Sequence, residues 1–297
     1  MGASSKHLLQ QGAVLKALGQ IVARSVMGKT GRGVDQVPGP VFRETVAPRD
    51  PRLVGDYIRN MGGSTSWYKG VVPAHFYPQW AFPIMGKPLQ CLPYPMPRII
   101  NAGVKLKMNA PIPAGEPLNL QAQLTQLDEN EKRALIKNRL ITGTASAPEA
   151  MESTVTAFFP LKRKEGAAKG KKKEKPHIPA DARQIDLWRL SGRAGLDFAL
   201  LTGDFNPVHW IPPMARMSGF KGAILHGYAS MARLIETLNR QLFAGDVSRL
   251  ASMDVRFSAP VVLPGKVGVF LDGEDQCFVG KAPGAPACLT GSYTLRK

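Results

Sequence analysis

The stretch LTGDFNPVHWIPPMARMSGFKGAILHGYASMARL, Leu201 to Leu234, decides how this chain is read. It places Asp204, Asn206, Pro207 and His209 within six residues of mostly apolar sequence. Asp, Asn and Pro are turn formers, and a residue before proline is pushed out of the helical region, so a turn is the plain reading. With Pro207 between them, Asp204 and His209 cannot share one undisturbed helix face, whereas a loop can turn both side chains toward one point. Downstream, Met231, Leu234, Ile235, Leu238 and Leu242 form a single apolar stripe, predicting a helix from Gly227 to Phe243 with Gly245 as its stop. After it come KVGVFLDG, QCFVGKA and ACLTGSYTLRK, which read as strands. One long helix followed by several antiparallel strands is an α+β pattern, and the helix has only the sheet against which to bury its stripe.

A weak repeat lies upstream. VKLKMNAPIPAGEPLNL, Val104 to Leu120, echoes MDVRFSAPVVLPGKVGVF, Met253 to Phe270: a strand, Ala-Pro, a short turn with Gly, another strand. Val104, Leu106 and Met108 alternate, as do Met253, Val255 and Phe257. The segment from Leu118 to Pro160 reads as a meander of strands. Two similar units joined by a linker are what duplication leaves. Between them, KRKEGAAKGKKKEK, Lys162 to Lys175, holds eight basic and two acidic residues and reads as a solvated linker. The expected organisation is an N-terminal amphipathic segment (1–40), a first half (41–161), a basic linker (162–177) and a second half (178–297).

The chain of 297 residues is long enough for two cores and carries a net charge of +17. That balance suits nucleic acid, a membrane surface or an acidic partner. No aromatic interleaving or nucleic-acid reader motif accompanies it, so no nucleic acid is expected. No apolar run reaches transmembrane length. Cys91, Cys277 and Cys288 are odd in number and lack metal-ligand spacing, which suits a reduced, cytoplasmic protein. Residues 1–34 contain no acid, and Leu8, Leu15, Leu18 and Val22 recur at helical spacing with Lys6, Lys16 and Arg24 between. A helix packed on the body is the expectation; a mitochondrial transit segment or a membrane-surface helix are the alternatives.

The Leu201–Leu234 string, with its Gly-Asp-x-Asn-Pro-Val-His run, Ala-x-x-x-Gly-Phe and Ile-Leu-His-Gly opening a helix, resembles the hydratase motif of the MaoC-like, (R)-specific enoyl-thioester hydratase and dehydratase family. A lone Asp and His would be weak; the whole string is specific. The resemblance implies an α+β double hotdog, two long helices each wrapped by an antiparallel sheet. The first half would be degenerate, VPAHFYPQWAFPIM matching its counterpart only loosely, and the second catalytic. It implies that Asp204 and His209 bind and activate water, that Asn206 supports them, and that the Gly227 N–H receives the thioester oxygen. His226, Tyr228 and Trp210 are candidate substrate contacts. Trp210-Ile211-Pro212 and Tyr228 depart from the pattern of many relatives and bear on the substrate rather than the reaction.

Singly, Asp204 could cap a turn, His209 be a satisfied buried histidine, Gly227 serve packing and His226 start a helix. Within the long motif, the catalytic reading of Asp204 and His209 prevails. His75 has no acid in a similar pattern and is read as structural. No third ligand stands at metal spacing, so neither metal nor cofactor is expected. The expected activity is reversible hydration of trans-2-enoyl thioesters of coenzyme A or an acyl carrier protein to (R)-3-hydroxyacyl thioesters, with a homodimer one assembly the chain allows. A non-catalytic acyl-thioester or carrier-protein binding module, or a hotdog thioesterase, is the alternative.

Overall fold

The computed structural model describes residues 2–27, 30–161 and 174–296; most of the basic run proposed as a linker lies outside the described residues. A 3-10 turn (Ser5–Gln11) leads into α1 (Gly12–Val26). Then follow β1 (Phe42–Val46), α2 (Pro51–Met61), β2 (Val71–Val72), α3 (Pro78–Gln90), β3 (Ile100–Met108), β4 (Ile112–Pro113), β5 (Leu118–Asn130), β6 (Arg133–Gly143) and β7 (Met151–Pro160). The rest of the chain forms β8 (Arg183–Leu190), α4 (Ala194–Thr202), α5 (Pro212–Met217), α6 (Gly227–Gln241), β9 (Leu250–Phe257), β10 (Gly265–Asp272), β11 (Gln276–Gly280) and β12 (Ala287–Leu295).

Ten strands make one antiparallel sheet in the order β1-β5-β6-β7-β3-β9-β12-β11-β10-β8. Its midline is the seam of β3 on β9, where Val104 stands opposite Val255 and Leu106 opposite Met253. The order reads the same outward from that seam on both sides, and the alternating residues of the repeat occupy it. After each seam strand the Ala-Pro turn bonds in the same way. Asn109 and Ala110 donate to the Ala150 carbonyl at 2.8 and 3.0 Å, and Ser258 and Ala259 donate to the Cys288 carbonyl at 2.8 and 3.1 Å.

α6 buries Met231, Leu234, Ile235 and Leu238, each contributing about 1.5–3 kcal/mol on general transfer energetics. The Trp188 indole of β8 donates to Thr237 of α6 at 3.0 Å. In the first half, Trp80 of α3 donates to Thr142 of β6 at 3.1 Å. α3 contains Pro83 and Pro88 in its interior, residues that disfavour an isolated helix; dense burial against β5 and β6 overrides that local preference. The structure of α2 follows from its ends: Asp50 accepts from the Arg52 and Leu53 amides, Pro51 opens the first turn, and Gly62 closes the last at φ +95°.

The N-terminal segment packs on the body, but not by the leucines its periodicity suggests. Leu8 and Leu15 are exposed, whereas His7, Gln11 and Val14 are buried. His7 Nε2 meets Asp56 Oδ2 at 2.6 Å, and the Gln11 amide donates to the Leu200 and Leu201 carbonyls, both at 3.1 Å. The carbonyls of the last turn of α4 would otherwise lack partners, so the polar face is the one with bonds to make. No helix of the described residues is long and apolar enough to cross a membrane.

Candidate active site

The polar cluster is assembled by the loop between α4 and α6. Gly203, at φ +84°, ends α4. Asn206 caps the 3-10 turn Pro207–His209: its side chain accepts from Val208 N at 3.4 Å, and its own N–H donates to Asp204 Oδ1 at 3.4 Å. Asn206 is itself exposed, so its place is in the turn. The Ile224 amide donates to the Val208 carbonyl at 3.2 Å, tying the turn to the chain entering α6.

His209 Nδ1 lies 2.9 Å from the Ile224 carbonyl. A carbonyl only accepts, so Nδ1 carries the proton and Nε2 presents a lone pair. His226 Nε2 donates to the Asp204 carbonyl at 3.0 Å, and its ring stacks on His209 with centroids 3.6 Å apart. Ligating atoms of Asp204, His209 and His226 all lie within 4.8 Å of one another. The Asp204 carboxylate is half-buried while His226 is buried. Gly195 of α4 permits the approach of the loop, since a Cβ there would sit 1.8 Å from the His209 carbonyl oxygen. Gly195 lies outside the Leu201–Leu234 string, and Ile224 stands within it but acts through its backbone carbonyl, so only the fold shows that both meet His209.

Burial sets the electrostatics. Desolvation raises the Asp204 carboxyl above its ordinary value, opposed by attraction to His209 and the Asn206 N–H. Desolvation lowers His209, opposed by Asp204 and the Ile224 carbonyl. His226 is held well below the ordinary histidine value by desolvation, then by His209. Both imidazoles are therefore biased toward the neutral form, and Asp204 toward holding a proton. Such a cluster can accept, hold and return a proton.

Gly227 begins α6, and no side chain caps the helix. The opening N–H groups of a helix lack internal partners and favour negative charge. A Cβ at Gly227 would lie 2.9 Å from two ring carbons of Phe257, so glycine keeps the helix start close to β9. Tyr228, next along α6, stands edge-on to Tyr77 and Phe82 of the first half at 5.8 and 5.7 Å between centroids. Burial, then the Asp204 charge, pushes its hydroxyl above the ordinary tyrosine value. Trp210 donates to the Phe205 carbonyl at 3.3 Å, bracing the loop from outside.

Two contacts lie beyond the reach of sequence spacing. Sequence spacing offers no third metal ligand beside Asp204 and His209, but the fold supplies His226. The three form a conceivable donor set, yet two nearly parallel rings 3.6 Å apart hold their lone pairs in separate planes. They cannot both point at one tetrahedral ion unless a ring rotates. His75, read as structural because no acid stands near it in a similar sequence pattern, has Glu236 of α6 at 3.2 Å from its Nε2. That acid is 161 residues away, which sequence proximity could not reveal.

Fold and site together define the class: a double-hotdog α+β protein with an Asp–His cluster at the start of the second half's long helix. Residues 183–276 match the family described as MaoC like domain. The chain is 24% identical to 3-hydroxyacyl-thioester dehydratase X of Mycobacterium tuberculosis over 85% of its length and 88% of that protein. A crystal structure of HtdX from the same organism superposes with a TM-score of 0.65 at 22% identity, covering 84% of this chain and 98% of that one. A conserved M. tuberculosis protein with a double hotdog fold superposes at 0.55 with 12% identity, covering 88% and 96%.

Proposed function

We propose that Asp204 and His209 hold a water between them and add it to the β-carbon of a trans-2-enoyl thioester, giving the (R)-3-hydroxyacyl thioester. The protein is an enzyme, a hydratase and dehydratase of enoyl thioesters, working in either direction. One observation carries the site assignment: His209 Nδ1–H is fixed on the Ile224 carbonyl, leaving Nε2 as a base beside Asp204. In hydration, water loses a proton to this cluster, its oxygen bonds to Cβ, and a proton from the cluster goes to Cα. Negative charge develops on the thioester oxygen meanwhile, and the Gly227 N–H is the donor for it. Dehydration retraces these steps. Asn206 holds the turn, and His226 positions the loop through the Asp204 carbonyl.

The first half completes the sheet and, through Tyr77 and Phe82 beside Tyr228, lines the acyl channel. Residues 41–161 and 178–297 are two copies of one unit, a division supported by the mirrored strand order. The thioester is carried on coenzyme A or an acyl carrier protein, both acidic and suited to a chain of net charge +17. A homodimer and a cytoplasmic setting complete the reading, the latter supported by three free cysteines.

The test follows loss of the conjugated enoyl absorbance on a short and a long trans-2-enoyl-CoA, with a thiol reagent present. Loss of absorbance without thiol release is expected. Stoichiometric thiol release would instead identify a thioesterase, and no change on either coenzyme A or carrier-protein substrates a binding module.

A further inference from the structure

Both ends of the Asp–His loop rest on α4. Asp204 leaves the helix directly after Gly203, and the His209 carbonyl oxygen lies against Gly195, where a Cβ would stand 1.8 Å away. Whatever holds α4 therefore sets where the two side chains stand. The N-terminal segment grips that helix along its length. The Ala3 amide donates to Asp197 Oδ1, in the first turn, at 3.0 Å. The Gln11 side-chain amide donates to the Leu200 and Leu201 carbonyls in the last turn. Val14 lies against Gly203: a Cβ on that glycine would sit 2.7 Å from Val14 Cβ. Gln11 is 0% exposed and Val14 1%. Asp204 follows Gly203 immediately and Leu201 by three residues.

The Gln11 amide is itself aimed from the first half. Arg49 Nη1 donates to Gln79 Oε1 at 2.8 Å, and Gln79 Nε2 donates to Gln11 Oε1 at 3.3 Å. A guanidinium only donates, so Gln79 turns its oxygen to Arg49 and its nitrogen to Gln11. Gln11 must then accept through its oxygen, which leaves both of its N–H groups for the two α4 carbonyls. A series of bonds with one fixed direction thus runs from Arg49 through α3 and the N-terminal segment to the foot of the loop. The last carbonyls of a helix have no partner within it, and Leu200 and Leu201 are buried away from water. Without Gln11 the last turn must shift to satisfy them, and Asp204 shifts with it. A displacement of about 1 Å in the catalytic geometry costs roughly 10²-fold in rate.

We propose that Gln11 and Val14 are positioning residues for the reaction: they clamp the C-terminal end of α4 so that the Asp204 carboxylate stays beside His209. The proposal rests on the reading of Asp204 and His209 as the pair that activates water. Both residues act through α4 at the foot of the loop, so their loss lowers kcat and leaves KM nearly unchanged.

The test is steady-state hydration of the trans-2-enoyl thioester that the wild type turns over, by full-length Gln11→Leu, Val14→Ala and His7→Leu, each assayed well below its melting temperature. His7 is the control, because it belongs to the same segment but bonds Asp56 of α2 rather than α4. Gln11→Leu should lower kcat by about 10–100-fold with KM within about threefold of wild type. Val14→Ala should lower kcat by about tenfold, and it decides the matter if Gln11→Leu does not fold. His7→Leu should melt lower yet keep kcat within about threefold. Near-normal kcat in Gln11→Leu, or a raised KM with kcat unchanged, would overturn the proposal. So would an equal fall of kcat in His7→Leu, which would show general loosening of the fold. Asp204→Asn run alongside separates the two readings. Turnover retained there would remove the site assignment itself, whereas turnover lost there but kept in Gln11→Leu would remove the clamp alone.

Discussion

Replacing Gly227 with alanine tests whether the start of α6 serves packing alone or also the reaction. The new Cβ would lie 2.9 Å from Cε2 and Cζ of Phe257, where ordinary contact begins at 3.4 Å. The ring must therefore yield by about 0.5 Å. Gly227 is not among the residues with positive φ, so the cost is steric rather than conformational. Phe257 is only half-buried and can give way in part, so overpacking should cost about 1–3 kcal/mol. At roughly 2–4 °C per kcal/mol, the melting temperature should drop by about 2–12 °C. On the proposed mechanism the same methyl group also intrudes on the thioester's approach to the Gly227 N–H, and misplacing one oxyanion donor lowers kcat roughly 10²–10³-fold. Steady-state hydration of a trans-2-enoyl-CoA and thermal melts separate the two effects. In Gly227→Ala/Phe257→Leu the clash is relieved, so stability should return while kcat stays low. A single variant with depressed melting temperature but kcat within about threefold of wild type would refute the donor role and leave Gly227 a packing residue.

Further outcomes follow from the same contacts. His209 and His226 sit below the ordinary histidine value of 6.5 when folded. The folded protein thus binds fewer protons than the unfolded chain, so their contribution is complete above that value and is lost as pH falls toward the folded values. The urea midpoint should decline between about pH 7.5 and pH 5.5, and decline less in His226→Gln; an equal decline would remove His226 as a cause. Gln11→Leu strips the partners from the Leu200 and Leu201 carbonyls and should destabilise by about 1–3 kcal/mol in urea unfolding. An unchanged midpoint would show the segment only rests on the body. Asn206→Ala should cost about 0.5–2 kcal/mol through the lost cap, with a smaller fall in kcat than Asp204→Asn; an equal fall would mean the amide acts directly in the reaction.

Much of the fold was legible because its signals were local. Alternation at Val104–Met108 and Met253–Phe257 foretold the seam strands, and the stripe from Met231 to Leu238 foretold α6. α3 was legible only by resemblance to a counterpart, since Pro83 and Pro88 contradict helix propensity and only burial against β5 and β6 outweighs them. The packing face of the N-terminal segment was misread because hydrophobicity marks the leucines, whereas the docking bonds belong to His7 and Gln11. At the site, Asp204, Asn206 and His209 come together as one loop because they lie within six residues. The tautomer of His209 was beyond the sequence, because a backbone carbonyl fifteen residues away sets it. Glu236 beside His75 was equally hidden, because that pair forms only when the two halves meet.

The central claim is that Asp204 and His209 together activate water, and turnover of single variants tests it most directly. Wild type, Asp204→Asn and His209→Ala, each shown to be folded by its melt, would be compared on a trans-2-enoyl thioester by loss of enoyl absorbance. The account predicts that each substitution lowers kcat by about two to four orders of magnitude, the scale of a positioned acid or base. Near-normal kcat in both variants would contradict it.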